Sequence, residues 1–346
     1  MKICYLLEST DLNGGVRVVF DQARALAARG HQVQLRALRG SHDWYPFPLT
    51  VSYGADLAEA FAPGDEPAVV VATYWTTVAA ALTAGCGQAV HFCQGHEADF
   101  IEFEASREAI AGAYRLPIPK ITVGEWLVRR LELVYGRDAF RTYCVGQIVD
   151  LDSYGPRSFS VCAALRSLFK RPLRVLIVGM FGASVKAIAD ASRAVALMRS
   201  AGVQIHLTRV SSLPLTAEEA AITPVQEYHH AVRPEAMADL YHAADLMLAP
   251  SLEQEGFGLP FAEALASGLP CVATAIPSFL SFDVQHDYAV FVPQHDPSAM
   301  AEAAVALLGR PEQLKTLRRR GPQVVQKFRG DNVARRLEQV FGEITA

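Results

Sequence analysis

At 346 residues the chain is long enough for two cores and short for three, at roughly 100–200 residues per domain. A hydrophobic share of 51% against 20% charged excludes a disordered chain, and a formal net charge of -4 argues against a nucleic-acid partner, which needs a clustered positive footprint. The six cysteines, Cys4, Cys86, Cys93, Cys144, Cys162 and Cys271, are scattered without a Cys-x-x-Cys pair, so they read as buried, reduced thiols. The apolar run of MKICYLLESTD stops at Glu8, too short for a signal peptide or a membrane span, and the expected location is cytoplasmic.

In chain order, Lys2 to Glu8 reads as a buried strand, Ser9 to Gly15 as a glycine loop and Val16 to Arg29 as an amphipathic helix. Strand-like runs recur at Gln32 to Ala37, Ala68 to Ala72 and Gln88 to Cys93, and Ile121 to Tyr135 reads as a strand end and a helix capped by Gly136. Short apolar strands alternating with helices predict a parallel sheet covered on both faces. The segment Asp150 to Pro172 has a linker composition, with a helical turn expected at Cys162 to Leu168.

A second sheet starts at Leu173 to Val178, followed by Gly179-Met180-Phe181-Gly182 and a helix from Lys186 to Arg199. Further strands are expected at Val203 to Leu207, Leu246 to Ala249, Pro270 to Thr274 and Ala289 to Val292, and helices at Pro234 to His242, Pro260 to Ser267 and Pro297 to Leu308. The domains expected are therefore 1–155, a linker at 156–172, a second domain at 173–330 and a terminal helix within 331–346, with a return of that helix to the first domain as one option.

The most informative stretch is EGFGLPFAEALASGLP, from Glu255 to Pro270. Pro260 suits the first helical position, where its missing N–H is no loss, so the loop Gly256 to Gly258 opens onto a helix N-terminus. Free N–H groups and the helix dipole there suit a phosphate or diphosphate. Glu255 lies before that anion site and Glu263 one turn inside the helix. A lone pair of Glu is usually a loop carboxylate and a solvated helix residue. This helix precedes an apolar strand, however, where an unpartnered carboxylate is costly.

Glu255 and Glu263, with seven residues between them, resemble the two-glutamate motif of retaining glycosyltransferases of family 4. The resemblance extends to Gly14-Gly15, to Thr122–Gly136 (TVGEWLVRRLELVYG), to the tract Asp150–Tyr154 and to Leu240–Ser251 (LYHAADLMLAPS). It implies the GT-B fold, an α/β arrangement of two facing Rossmann-like domains with parallel sheets and a C-terminal helix closing the chain. It also implies transfer of a hexose or deoxyhexose from a nucleotide-diphosphate sugar to a glycan, a lipid-linked or a small-molecule acceptor, as in cell-envelope polysaccharide synthesis.

Residue by residue, the resemblance places Glu255 on the donor sugar and Glu263 on the ribose. Gly256, Phe257, Gly258 and Leu259 would supply backbone donors, and Gly15 would face the diphosphate from the other domain. Lys186 matches the family's diphosphate lysine, whereas the arginine expected near it is Met180. Arg209, taken as a loop residue after the strand ending at Leu207, is one replacement; an ordinary solvated charge is the other reading. Relatives have Asn-Gly-Val-Asp where this chain has Gln147-Ile148-Val149-Asp150. His91, Gln94, His96 and Glu97, at a strand end in the first domain, are acceptor-side candidates, with loop hydrogen bonding as an equal alternative.

No cofactor is expected, and no metal either, although Asp150-Leu151-Asp152 has the Asp-x-Asp spacing. Trp126, Leu127, Arg129 and Arg130 offer a face for peripheral contact with the inner membrane surface; a packed and solvated helix is the plainer reading. The sequence is also compatible with three rivals. A nicotinamide-dependent dehydrogenase is suggested by Val178 to Ala183, but Gly-x-Gly-x-x-Gly and an acidic ribose partner are missing. The others are a nucleotide-sugar-binding protein without turnover and a nucleotide-sugar epimerase or phosphorylase.

Overall fold

The computed structural model describes residues 1–46, 48–156 and 171–346, so the turn expected at 162–168 lies outside the described residues. These form two compact units, Met1–Ile148 with Lys327–Ala346, and Val149–Gln326.

The first unit runs β1 (Lys2–Ser9), α1 (Gly14–Ala28), β2 (Gln32–Arg39), β3 (Val51–Tyr53), β4 (Val69–Ala72), α2 (Val78–Thr83), β5 (Gln88–Cys93), α3 (Arg107–Arg115), β6 (Lys120–Thr122), α4 (Glu125–Tyr135) and β7 (Thr142–Cys144). All pairings are parallel, in the order β3-β2-β1-β4-β5-β6-β7. β4 is buried at each of its four residues, the pattern of a strand covered on both faces. Cys4, Leu6, Val70, Ala72 and Val78 form one core of this unit. Asn13 starts α1 by accepting the Val16 N–H at 2.9 Å, and α4 ends at Gly136 with φ 94°.

The second unit runs α5 (Leu151–Tyr154), β8 (Leu173–Val178), α6 (Ile188–Ser200), β9 (Ile205–Ser211), α7 (Ala217–Ile222), β10 (Glu227–His230), α8 (Pro234–Ala243), β11 (Leu246–Ala249), α9 (Leu259–Ala266), β12 (Cys271–Thr274), α10 (Pro277–Leu280), β13 (Val290–Val292), α11 (Pro297–Leu308) and α12 (Pro311–Val324). Its sheet is also parallel, in the order β10-β9-β8-β11-β12-β13. Its core combines Val175, Ile177 and Leu248 of the strands with Val195, Met198 and Leu307 of α6 and α11.

The last helix, α13 (Gly330–Thr345), belongs to the first unit. It buries Val333, Leu337 and Phe341, while Glu338 pairs with Arg29 and His31 at 2.7 and 2.8 Å. Arg336 Nε also donates to the Val145 carbonyl at 2.8 Å.

Four details differ from the sequence expectations. The first unit closes at Ile148 rather than 155, because α5 packs within the second unit: Tyr154 meets Tyr241 edge-on at 5.7 Å and donates to the Pro234 carbonyl at 3.2 Å. β9 continues four residues beyond Leu207, so Arg209 is a strand residue. Cys86 and Cys144 are only half-buried, whereas Cys4, Cys93 and Cys271 are fully enclosed thiols. On α4, Leu127 is fully buried and so cannot belong to the proposed membrane face, and Arg130, 37% exposed, forks onto Asp99. Among the described residues no helix is long and apolar enough to cross a membrane.

Candidate functional site

The order of the second sheet reverses between β8 and β11, and in open parallel sheets ligands gather outside the strand carboxyl ends at such a point. The loops leaving these two strands carry Lys186 and Glu255. Lys186 ends a short 3-10 turn, Ser184–Lys186, and Glu255 closes a turn in which its N–H donates to the Leu252 carbonyl at 2.9 Å. The Leu252 N–H in turn donates to the Val185 carbonyl at 2.8 Å, which ties the loops together. Lys186 Nζ lies 2.6 Å from Glu255 Oε2.

The glycine loop then opens into α9 as its composition requires. Gly258 has φ 79°, a left-handed backbone that favours glycine, and a Cβ there would overlap the Phe279 ring. Phe279 stacks on Phe261 at 4.3 Å, and Phe257 packs against Phe282 at 5.1 Å, giving the loop an aromatic floor. Gly256 and Leu259 remain partly exposed above it. Pro260 stands in the first turn, as expected from its missing N–H.

Glu263, at 3% exposure, accepts a hydrogen bond from the Tyr241 hydroxyl at 2.8 Å. Tyr241 was not singled out from the sequence, although it lies in the Leu240–Ser251 tract that carried the resemblance. A second unforeseen contact is from Thr274 Oγ1 to the Ser251 carbonyl, which holds the loop after β11 to the end of β12.

Arg209 does not supply a loop cation. Its side chain is fully buried, with Nε 2.6 Å from Glu219 Oε1 and its terminal nitrogens on the carbonyls of Ile177, Val210 and Gly179. Met180 is 37% exposed on the turn that follows β8.

In the first unit, Gly15 stands in the first turn of α1, and Gln94 Nε2 donates to its carbonyl at 3.1 Å. The other acceptor-side candidates are turned into the protein. His91 is fully buried with both ring nitrogens unpaired, and burial, helped by Lys120 and His96, lowers its pKa to about 3. Glu97 accepts from Tyr114 at 2.5 Å, and burial holds its carboxyl above the usual range. His96 sits between Tyr135 and Asp99, at 2.8 and 2.9 Å. Burial pushes the Asp99 carboxyl up, but His96 and Arg130 more than offset it and leave it well below the usual range. Three of the four candidates thus build a hydrogen-bonded or packed interior, while Gln94 touches the Gly15 turn.

Asp150 is a helix cap. Its carboxylate accepts the N–H groups of Asp152 and Ser153 and the Ser153 hydroxyl. Among the described residues there is no group of three or more His, Cys, Asp or Glu placed to hold a metal ion.

Residues 172–310 match the family model described as glycosyl transferases group 1. The D-inositol 3-phosphate glycosyltransferase of Xylanimonas cellulosilytica is 30% identical over 224 residues, 61% of this chain and 54% of that protein. The enzyme of the same name from Corynebacterium urealyticum is 31% identical over 135 residues, 39% of this chain and 32% of the relative. The chain therefore spans about half, or less, of the length of these relatives.

Among solved structures, Anabaena HepE in complex with UDP-glucose superposes with a TM-score of 0.78 at 14% identity, covering 99% of this chain and 100% of that one. A glycosyltransferase from Rickettsia africae gives 0.76 at 14%, over 99% and 98%. At such identities these likenesses establish the fold, which is GT-B, two Rossmann-like units with parallel sheets. The segment that matches the group 1 glycosyltransferase model, residues 172–310, lies within the second unit.

Proposed function

We propose that the protein is a retaining glycosyltransferase that moves a hexose or deoxyhexose from a nucleotide-diphosphate sugar to a hydroxyl of a glycan, lipid-linked or small-molecule acceptor. The observation that carries this reading is the Lys186–Glu255 pair, held at 2.6 Å beside the glycine-led start of α9. A cation, a carboxylate and the N-terminus of a helix at one strand end suit a diphosphate joined to a polyol.

In that reading Glu255 accepts from the sugar hydroxyls, Glu263 from the ribose, and the N–H groups of Gly256 to Leu259 approach the donor. Breaking the anomeric bond builds negative charge on the leaving phosphate while the sugar gains oxocarbenium character. A preorganised donor aimed at such charge contributes about 3–4 kcal/mol to the rate. Lys186 and the start of α9 fill that role, and the departing phosphate takes the acceptor proton on the same face, so configuration is retained. Charge neutralisation by these groups makes the proposed reaction independent of a divalent ion.

The names of the matched relatives make inositol 3-phosphate one acceptor to try within the small-molecule class. The test is mass spectrometry of products after incubation with a panel of UDP-, GDP- and dTDP-sugars and acceptors from each class. A sugar-mass increase on an acceptor, with retained anomeric configuration by NMR, is the expected result. Binding without hydrolysis or transfer across the panel would replace the proposal with a binding protein.

A further inference from the structure

We propose that Arg209 is a positioning residue: from the interior it fixes the Gly179 turn, and through that turn it sets the Lys186 side chain. The inference rests on the donor-site reading above for its functional meaning, and on a chain of contacts for its geometry.

Arg209 lies opposite Ile177 in the parallel pairing of β9 with β8. Its guanidinium folds over the end of β8, donating to the Ile177 carbonyl at 2.8 Å and to the Gly179 carbonyl at 3.0 Å. Glu219 anchors Nε at 2.6 Å from the first turn of α7, where its own N–H is received by Thr216 Oγ1 at 3.1 Å. The planar fork thus binds a carbonyl near the end of β8 and the Gly179 carbonyl just after it from an anchored position, which a lysine ammonium cannot reproduce.

Gly179 has φ 146°, a backbone suited to glycine, and the side a Cβ would occupy faces Ile188 Cδ1 at 3.0 Å and Lys186 Cβ and Cγ at 3.5 Å. The lysine stem therefore crosses the glycine that Arg209 holds, and the far end of that stem carries the ammonium paired with Glu255. A buried pair of charges needs compensation by geometry, since burial alone disfavours both ions. Here that geometry is spent on one turn.

The test uses the full chain as wild type, Arg209→Lys, and the double variant Arg209→Met/Glu219→Met, which replaces both charges by apolar groups of similar length. Thermal unfolding first establishes which variants fold, and Arg209→Lys carries the test if the double variant does not. Hydrogen exchange is then read for amides 179–186 against those of β12, and UDP affinity is measured by calorimetry. The expected result is exchange at 179–186 faster by about tenfold or more with β12 unchanged, and UDP affinity reduced by about tenfold in both variants, because small misplacements at a site carry large penalties.

Unchanged exchange at 179–186 in a folded variant would overturn the inference. Wild-type UDP affinity in Arg209→Lys would also overturn it, since that would mean charge rather than the fork is what matters. If the wild type binds no UDP, the donor reading fails, while the exchange measurement still decides whether Arg209 holds the turn.

Discussion

Lys186 Nζ and Glu255 Oε2 lie 2.6 Å apart, although 69 residues separate them in the chain. Each is the other's counter-charge, with side-chain exposures of 23% and 10%. A donor diphosphate would draw the ammonium toward itself and free the carboxylate for hydroxyls, so the pair can exchange partners without leaving an uncompensated buried charge.

Lys186→Ala is expected to lower turnover about a hundredfold or more while changing acceptor KM little, since in the proposed reaction its charge matters most as the leaving phosphate gains charge. Steady-state kinetics at saturating donor reads this directly. Wild-type turnover in the variant would reduce Lys186 to a partner of Glu255 alone.

Glu263→Gln keeps the shape of the side chain and a group able to accept from Tyr241, so its effect isolates the carboxylate charge. Donor affinity should fall by about 1.5–3 kcal/mol in Glu263→Ala and by less in Glu263→Gln, with calorimetry as the measure. Equal affinity in all three proteins would move the ribose contact elsewhere.

His91 gives a prediction for stability against pH. Burial lowers its folded-state pKa to about 3 from the ordinary 6.5, so the unfolded chain takes up the proton first as the pH falls. Stability linked to this group is therefore lost between about pH 6.5 and about pH 3. His91→Phe should flatten the stability curve over that window in urea titrations. A slope identical to wild type would show that the buried ring becomes charged without cost.

Transfer should persist in excess EDTA, because Lys186 and the start of α9 carry the proposed neutralisation of the diphosphate. Asp150 supports the same expectation through its role as a cap: Asp150→Ala should cost about 1 kcal/mol of stability and leave the EDTA-treated rate unchanged. Abolition by EDTA with rescue by manganese or magnesium would return Asp150 and Asp152 to consideration as ligands.

Much of this was legible in the sequence because parallel strands buried on both faces leave compact apolar runs, as at Val69–Ala72, Leu246–Ala249 and Cys271–Thr274. The glycine loop and Pro260 likewise fixed the start of α9 to within a residue. Short strands at the sheet edges, Val51–Tyr53 and Glu227–His230, were not evident, since half-exposed residues such as Tyr53 and His230 break the apolar run. Arg209 misled for a related reason: an arginine after Leu207 reads as a strand end unless its buried partner Glu219, ten residues on, is known. His91, Glu97 and Tyr114 show the same limit, because polar side chains that satisfy or pack against one another inside a fold look identical in sequence to those that meet a ligand.

The return of α13 to the first unit has a consequence for synthesis. That unit consists of Met1–Ile148 and Lys327–Ala346, so it is discontinuous, whereas Val149–Gln326 is one uninterrupted segment. Domains generally fold in the order in which they emerge from the ribosome. Here the earlier-made unit cannot acquire the helix that buries Val333, Leu337 and Phe341 until the later-made unit has been translated in full. The nascent chain therefore carries an unfinished apolar surface while residues 149–326 are made, and Lys327–Ala346 completes a unit begun before them.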